Sequence, residues 1–175
     1  MTTPSPTFAE LLACAVTDAI HLETRDAYSA KDDAYQQWLR EGDLPDDQVR
    51  ARWGSWLGLA GDAVRRGVRI RRARVVSGPL SAYVRYEHAI TSALNLAAGE
   101  QVRWLPRDQA PGDLFLPVND FWVFDAHTAL MLHHDGDGEE TRRVLCRDQH
   151  VIARLVDAFE AVWEVGVDHV DYRPR

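Results

Sequence analysis

Apolar residues recur at every third or fourth position in five segments of the chain, which is the spacing of one buried helix face. Thr7 followed by Glu10 has the spacing of a capping box at the start of the first segment. Glycines follow several of the others, as expected at helix ends. The pattern predicts helices over residues 8–20, 31–40, 45–67, 80–99 and 149–165.

Five further segments are rich in β-branched and aromatic residues and are bounded by glycine, proline or aspartate, which indicates strands. A helix separates the first two, so these should be parallel with a right-handed crossover, and the later ones should form antiparallel hairpins. The predicted strands are residues 68–77, 101–105, 121–124, 129–134 and 141–146.

The predicted fold class is therefore α/β (α+β), with a mixed sheet that holds one parallel strand–helix–strand unit plus antiparallel hairpins and is covered by helices. At 175 residues we expect a single domain over 1–175, with an ordered core over about 8–172.

The net charge of −7 argues against direct nucleic-acid binding, because phosphate affinity depends on positive charge. No basic, apolar leader and no uncharged run of membrane-spanning length is present, so we expect a cytoplasmic protein without membrane contact. Cys14 and Cys146 are far apart and lie among apolar neighbours, which predicts buried free thiols.

Arginines are concentrated between residues 65 and 74 of this acidic chain. One interpretation is a positive site for phosphate or carboxylate, since guanidinium makes paired hydrogen bonds to both. The alternative is that these side chains pair with the abundant Asp and Glu residues. Strand alternation places Arg72 and Arg74 on the same face, where burial would force them to be paired.

The segment 21–28 is dense in polar groups, and His21 and Glu23 are candidates for acid–base catalysis. Asp120, just before a predicted strand, is a third candidate. The alternatives are a buried ion-pair network for the first two and turn closure for the aspartate. The candidate binding residues for an anionic ligand are Arg25, Arg72, Arg74, Tyr83 and Arg85.

No cofactor and no metal are expected. The chain lacks the P-loop, the dinucleotide-binding glycine motif, the nucleophile elbow and the zinc-protease motif. The acidic run that begins at Asp135 has Glu140 where a calcium loop requires glycine. His133 and His134 are adjacent, and on a strand they would point to opposite faces.

Several motifs in one order give the chain a resemblance to the DUF6879 family, a domain of unknown function found in actinobacteria. They are His-Leu-Glu-Thr-Arg-Asp-Ala-Tyr (21–28), Arg-Arg-Ala-Arg-Val-Val-Ser (71–77), Tyr-Val-Arg-Tyr-Glu-His (83–88), Ala-Gly-Glu-Gln-Val-Arg-Trp-Leu-Pro-Arg (98–107) and Asn-Asp-Phe-Trp-Val-Phe-Asp (119–125). Relatives have Ser-Glu-Pro where this chain has Ser77-Gly78-Pro79, so any role of that glutamate is absent or moved here.

The resemblance implies a regulatory or accessory role, since such proteins occur near helix-turn-helix regulators. The strand order also looks like the phospholipase D-type fold. That superfamily requires His-x-Lys, whereas the only lysine, Lys31, is preceded two positions earlier by Ser29. The resemblance thus implies a non-catalytic or re-purposed version of that fold.

Two functional hypotheses follow. The first is a cytoplasmic accessory or regulatory protein that acts through a protein partner, such as a DNA-binding regulator, with exposed tryptophan and arginine side chains as its contact surface. The second is a small-molecule-binding protein or enzyme that holds an anionic ligand in an arginine-lined pocket. The second hypothesis requires Glu23 and Arg74 to lie on the same side of the sheet.

Overall fold

A computed structural model describes residues 5–29 and 31–174 of the chain, and its centre is one mixed sheet. The strands are β1 (Asp18–Glu23), β2 (Arg69–Val76), β3 (Gln101–Pro106), β4 (Asp120–Phe124), β5 (Thr128–His134), β6 (Glu140–Cys146) and β7 (Val167–Asp168). Their order across the sheet is β6-β5-β4-β1-β2-β3-β7.

The central trio β1, β2 and β3 is parallel, and every other pairing is antiparallel. The predicted parallel unit and the antiparallel hairpins are therefore confirmed. The helices are α1 (Phe8–Cys14), α2 (Asp33–Glu41), α3 (Asp46–Arg52), α4 (Gly54–Arg65), α5 (Ala82–Thr91) and α6 (Gln149–Val165). A π-helical turn, Ser92–Leu96, extends α5, and a 3-10 turn, Arg107–Gln109, follows β3.

The predicted helix over residues 8–20 is wrong beyond Cys14, because residues 18–20 are the start of the central strand β1. The capping box at Thr7 is present, but α1 ends at Cys14 and the backbone of Ala15 is extended. The Asp125 carboxylate then accepts hydrogen bonds from the N–H groups of Val16, Thr17 and Asp18. The sequence pattern does not show this break, because Ala15, Val16, Ala19 and Ile20 continue the apolar spacing of a helix beyond the end of α1.

Three smaller predictions also need correction. The helix expected over 45–67 is divided at Trp53 into α3 and α4. The predicted strands also lack β7, which pairs with β3 at Trp104 and Arg103. Cys14 and Cys146 are free thiols as predicted, but Cys14 is exposed and Cys146 only half-buried.

The two faces of the sheet bury different side chains. One face, the apolar face, packs against α6 through residues such as Leu22, Val75 and Phe121, which meet Phe159 in one cluster. The opposite face, the polar face, lies under α1 and α3 to α5. At its centre β1, β2 and β4 bury charged and polar side chains: His21, Glu23, Arg74 and Asp120, with Arg72 nearly buried beside them.

None of the helices in the described part of the chain is both long and apolar enough to cross a membrane.

Candidate functional site

The parallel register of β1 and β2 aligns a ladder of ionisable side chains on the polar face. His21 lies opposite Arg72, and Glu23 lies opposite Arg74. Strand alternation directs all four side chains to the same face, because they occupy every second position. Glu23 and Arg74 thus lie on the same side of the sheet, as the small-molecule hypothesis required.

Glu23 is the buried anion at the centre of this ladder. Its carboxylate contacts the guanidiniums of Arg72 and Arg74, and one oxygen lies 2.9 Å from His21 Nε2. Burial alone would raise the pKa of Glu23, but the positive charges of Arg74 and Arg72, with His21, hold that pKa well below its ordinary value. Glu23 is therefore ionised at neutral pH.

The hydrogen bonds of His21 identify its charge state. Nδ1 lies 2.7 Å from the carbonyl oxygen of Phe121, which can only accept, so Nδ1 carries a proton. Nε2 faces the ionised Glu23 carboxylate and must also donate. His21 is thus an imidazolium, and its ring stacks on Trp122 with a centroid separation of 4.3 Å, an arrangement that favours a cation.

Arg72 and Arg74 are buried and ion-paired. Arg72 Nε donates to Glu100 at 3.0 Å, and Arg74 Nη1 donates to the Thr91 hydroxyl at 3.0 Å. Burial lowers the pKa of each guanidinium, but the adjacent carboxylates outweigh it and raise both. Their charges are already offset before any ligand binds.

Five of the six arginines between residues 65 and 74 pair with carboxylates, as the alternative interpretation of the sequence expected, and Arg66 donates to a backbone carbonyl instead. The partners are Asp62 for Arg65, the Leu12 carbonyl for Arg66, Asp18 for Arg69, Glu160 for Arg71, Glu100 and Glu23 for Arg72, and Glu23 and Glu87 for Arg74.

Glu87 on α5 is the carboxyl group of this network with the weakest cationic support. Its side chain is 13% exposed, and its nearest guanidinium contact is Arg74 Nη2 at 3.4 Å. Burial raises the pKa of Glu87 to about 7, against the pull of Arg74 and with a further push from the Glu23 charge. Glu87 therefore exchanges a proton near neutral pH, while Glu23 stays ionised. Carboxyl groups whose pKa values are driven apart in this way are typical of acid–base sites.

Asp120 at the start of β4 is occupied by local hydrogen bonds. One oxygen accepts from the Thr24 N–H at 2.8 Å and from the Thr24 hydroxyl, and the other accepts from the Tyr28 hydroxyl at 2.5 Å. Burial, with the Glu23 and Asp120 charges, raises the pKa of Tyr28 well above its ordinary value. Tyr28 is thus a neutral phenol that fixes the carboxylate.

Two adjoining clefts open onto this network, each of about 300 Å³. We call them cleft A and cleft B, and Tyr83 and Glu87 line both. Cleft A is lined by His21, Glu23, Tyr28, Ser29, Tyr83, Glu87, Asp120, Leu132, His134, Gly138 and Glu140. Cleft B is lined by Asp32, Trp53, Trp56, Arg72, Arg74, Tyr83, Tyr86, Glu87, Ile90, Leu94 and Asn95.

The structure brings most of the candidate residues to these clefts. His21, Glu23 and Asp120 line cleft A, and Arg72 and Arg74 line cleft B, with Tyr83 between them. Two binding candidates lie elsewhere. Arg25 Nη1 is 3.4 Å from the Asp135 carbonyl, and Arg85 is exposed with Nη1 on the Leu80 carbonyl.

Sequence reasoning did not select three residues that complete the network: Glu87, Tyr28 and Glu100. Glu87 had a detectable signal, because it lies four residues after Tyr83 on one helix and both point to the same side. Glu100 had none, since it simply follows the glycine that ends a helical segment. Among the described residues, no three His, Cys, Asp or Glu side chains are grouped to hold a metal ion.

A serine–histidine pair elsewhere in the fold has the wrong proton arrangement for nucleophilic catalysis. His169 Nε2 lies 3.0 Å from the Ser92 hydroxyl, and Trp104 Nε1 lies 3.1 Å from His169 Nδ1. The indole N–H can only donate, so Nδ1 accepts and the proton of the neutral ring is on Nε2. Burial lowers the pKa of His169 to about 4, which keeps the ring neutral. The pair is a structural hydrogen bond.

The comparisons with known proteins agree with this architecture. Residues 6–174 match the model of a family described as a domain of unknown function, DUF6879. Among solved structures, a phospholipase D family member, Nuc from Salmonella typhimurium, is similar with a TM-score of 0.50 and 13% sequence identity. The similarity covers 94% of this chain and 88% of that one, and at this identity it shows a shared fold alone. No curated protein matches the chain.

Proposed function

Because the chain belongs to the DUF6879 family, whose description names no activity, we propose from the site alone that it binds a small polar molecule. The ligand enters clefts A and B and contacts the wall between them, where Tyr83 and Glu87 lie. Glu87 exchanges a proton with the bound molecule or with water, and Glu23 remains a fixed anion.

One observation carries the proposal: β1, β2, β4 and α5 converge on a pair of clefts that share a buried carboxyl group of raised pKa. Buried networks of this kind also occur as purely structural elements. Here, however, the network borders two open cavities. In open sheets with parallel strands, ligands favour the carboxyl ends of the strands, and Glu23 is the last residue of β1.

The hypothesis of an anionic ligand is supported in one respect, since Arg72 and Arg74 do line cleft B. Their ion pairs weigh against it, because an anion would have to compete with Glu23, Glu87 and Glu100 for the same donors.

A thermal-shift screen tests this function with cationic, neutral and anionic metabolites at equal ionic strength. A bound ligand raises the melting temperature by mass action. We expect at least one class of compound to stabilise the wild-type protein, and Glu87→Gln to change that shift. Glu164→Gln makes the same chemical change at an exposed position on α6 and should leave the shift intact. A flat response to all three classes, or equal shifts in both variants, would overturn the proposal.

A second candidate function, the accessory or regulatory role through a protein partner, is favoured by one surface feature. Phe115 and Val118 are 87% and 91% exposed beside α6, next to a groove of about 540 Å³. This patch differs from the expected one, because none of the six tryptophans is exposed. Purification with a co-expressed regulator, repeated with Phe115→Ser, tests this role: loss of co-purification in the variant supports it.

A cytoplasmic location remains part of both proposals. Its support is that Cys14 and Cys146 are both free thiols, as is usual in a reducing compartment. Retention of the protein in the soluble fraction after cell lysis, with both thiols accessible to alkylation after unfolding, is the expected result.

A further inference from the structure

Cleft B contains a buried hydroxyl group that lacks a protein partner. Tyr86 is only 1% exposed, and its hydroxyl oxygen has no hydrogen-bond partner among the described residues. Burial, with the negative charges of Asp32 and Glu87, outweighs the opposing charge of Arg52 and raises the pKa of this phenol, so it stays neutral and can accept a hydrogen bond. Buried polar groups are rarely left unpaired, and an exception at a cavity wall points to a ligand group.

Cleft B is also electrically negative in spite of its arginines. Four carboxylates line it or pair directly with its guanidiniums, against two guanidiniums and the His21 imidazolium that shares Glu23, so one negative charge is unbalanced once Glu87 is ionised. The cations are Arg72, Arg74 and His21, and the anions are Asp32, Glu23, Glu87 and Glu100. An incoming anion would add to this surplus, whereas an incoming cation would reduce it.

Aromatic rings supply the remaining walls of cleft B. Trp53, Trp56, Tyr83 and Tyr86 all line it, and the rings of Tyr83 and Tyr86 lie 5.7 Å apart in an edge-on arrangement. The faces of such rings attract cations, and aromatic side chains combined with carboxylates are the usual environment for alkylated ammonium groups.

We infer that cleft B binds an organic cation, an alkylammonium or guanidinium group, whose N–H donors reach the Tyr86 hydroxyl and the Glu87 carboxylate. This inference rests on the proposed small-molecule function and specifies its ligand class. The volume of about 300 Å³ is at the small end of ligand pockets, which suits a compact cation or the end of a longer one.

Three probes of one size test the inference: n-butylammonium, n-butanol and n-butyrate, at pH 8 and with ionic strength held constant by NaCl. We expect a saturable rise in melting temperature with n-butylammonium only. Stabilisation by n-butyrate equal to or larger than that by n-butylammonium would overturn the inference and leave the proposed function standing. A response to none of the probes overturns it as well, and the broader screen then decides separately on the proposed function.

Variants locate the binding site and separate its two components. Tyr86→Phe removes only the hydroxyl, and it should weaken n-butylammonium binding by about fivefold, the usual effect of one hydrogen bond. It should leave tetramethylammonium, which has no N–H, unchanged. Glu87→Gln should weaken both cations, and Glu164→Gln should weaken neither. The same affinity for n-butylammonium in Tyr86→Phe, Glu87→Gln and wild type would place the cation elsewhere and refute the assignment to cleft B.

Discussion

The apolar and polar faces of the sheet are built from the same strands, but they are stabilised in different ways. The apolar face fills its space against α6 mostly with hydrocarbon side chains such as Leu22 and Phe159, and a buried charged exception is Arg71, which pairs with Glu160 of α6. The polar face instead buries charges that stabilise the fold only while each keeps its partner, as Glu23 does with Arg74. The stability of the apolar face therefore depends on how well its volume is filled, and that of the polar face depends on charge pairing. Of the two, the polar face is the one bordered by clefts that share a titrating carboxyl group.

The largest loss of stability is expected on the polar face, from a substitution that keeps the volume of a side chain and removes its charge. Glu23→Gln leaves Arg72, Arg74 and His21 without their shared anion. We expect the free energy of unfolding to fall by about 3–5 kcal/mol, the usual cost of removing one partner of a buried ion pair. Urea denaturation followed by circular dichroism measures it, and a loss below about 1 kcal/mol would show that these charges are well solvated.

A pH-dependent difference of about 3 kcal/mol is expected from Glu87. Its pKa is about 7 in the folded chain against an ordinary 4.5, so between these values the folded state holds a proton that the unfolded state has lost. This contribution to stability is therefore present below about pH 4.5 and is lost as the pH rises to 7. Relative to wild type, Glu87→Gln should become more stable between pH 5 and 8. If the stability difference between Glu87→Gln and wild type in urea denaturation does not change with pH, the raised pKa of Glu87 is contradicted.

Two tyrosines near the polar face should differ in how much their hydroxyl groups contribute to stability, by less than the carboxylates above. Tyr28→Phe removes the hydrogen bond to Asp120 and should cost about 2 kcal/mol, since bonds to charged groups are the stronger ones. Tyr86→Phe removes a hydroxyl without a described partner and should be neutral or slightly stabilising. Thermal unfolding of the two variants measures both effects. Equal losses of stability would contradict the absence of a hydrogen-bond partner for the Tyr86 hydroxyl.

The smallest effect is expected on the apolar face. Ile152→Val deletes one methylene at a buried position of α6 and should cost about 1 kcal/mol at any pH between 5 and 8. Urea denaturation at both ends of this range measures it. A strong pH dependence here would mean that the two faces are not energetically separate.

The sequence predicted the parts of the fold whose signals are local. The helix 149–165, with Asp148 as its N-cap, is confirmed at both ends, and so are the parallel unit and the hairpins. The central strand β1 was missed because apolar residues from Ala15 to Ile20 continue the helical spacing of α1 into the start of the strand. The backbone between α1 and β1 is held by hydrogen bonds to Asp125, which lies more than one hundred positions away in the sequence. No local sequence pattern reveals that contact.

The sequence predicted several members of the candidate site but not the contacts between them. Residue type and strand alternation identified Glu23, Arg72 and Arg74. They could not show that Glu100 and Glu87 neutralise those arginines, because these contacts join separate elements. The raised pKa of Glu87 depends on burial and on an imperfect ion pair, which only the three-dimensional arrangement defines.

The most direct test of the account is the titration of Glu87 itself. Side-chain carboxyl carbons of ¹³C-glutamate-labelled protein are followed by NMR between pH 4 and 9, and the Glu87→Gln spectrum assigns the signal. We expect a midpoint near 7 for Glu87, with Glu23 ionised throughout this range. A Glu87 midpoint near the ordinary 4.5 would contradict it, because the carboxyl group shared by the two clefts would then be a fixed anion that exchanges no proton at neutral pH.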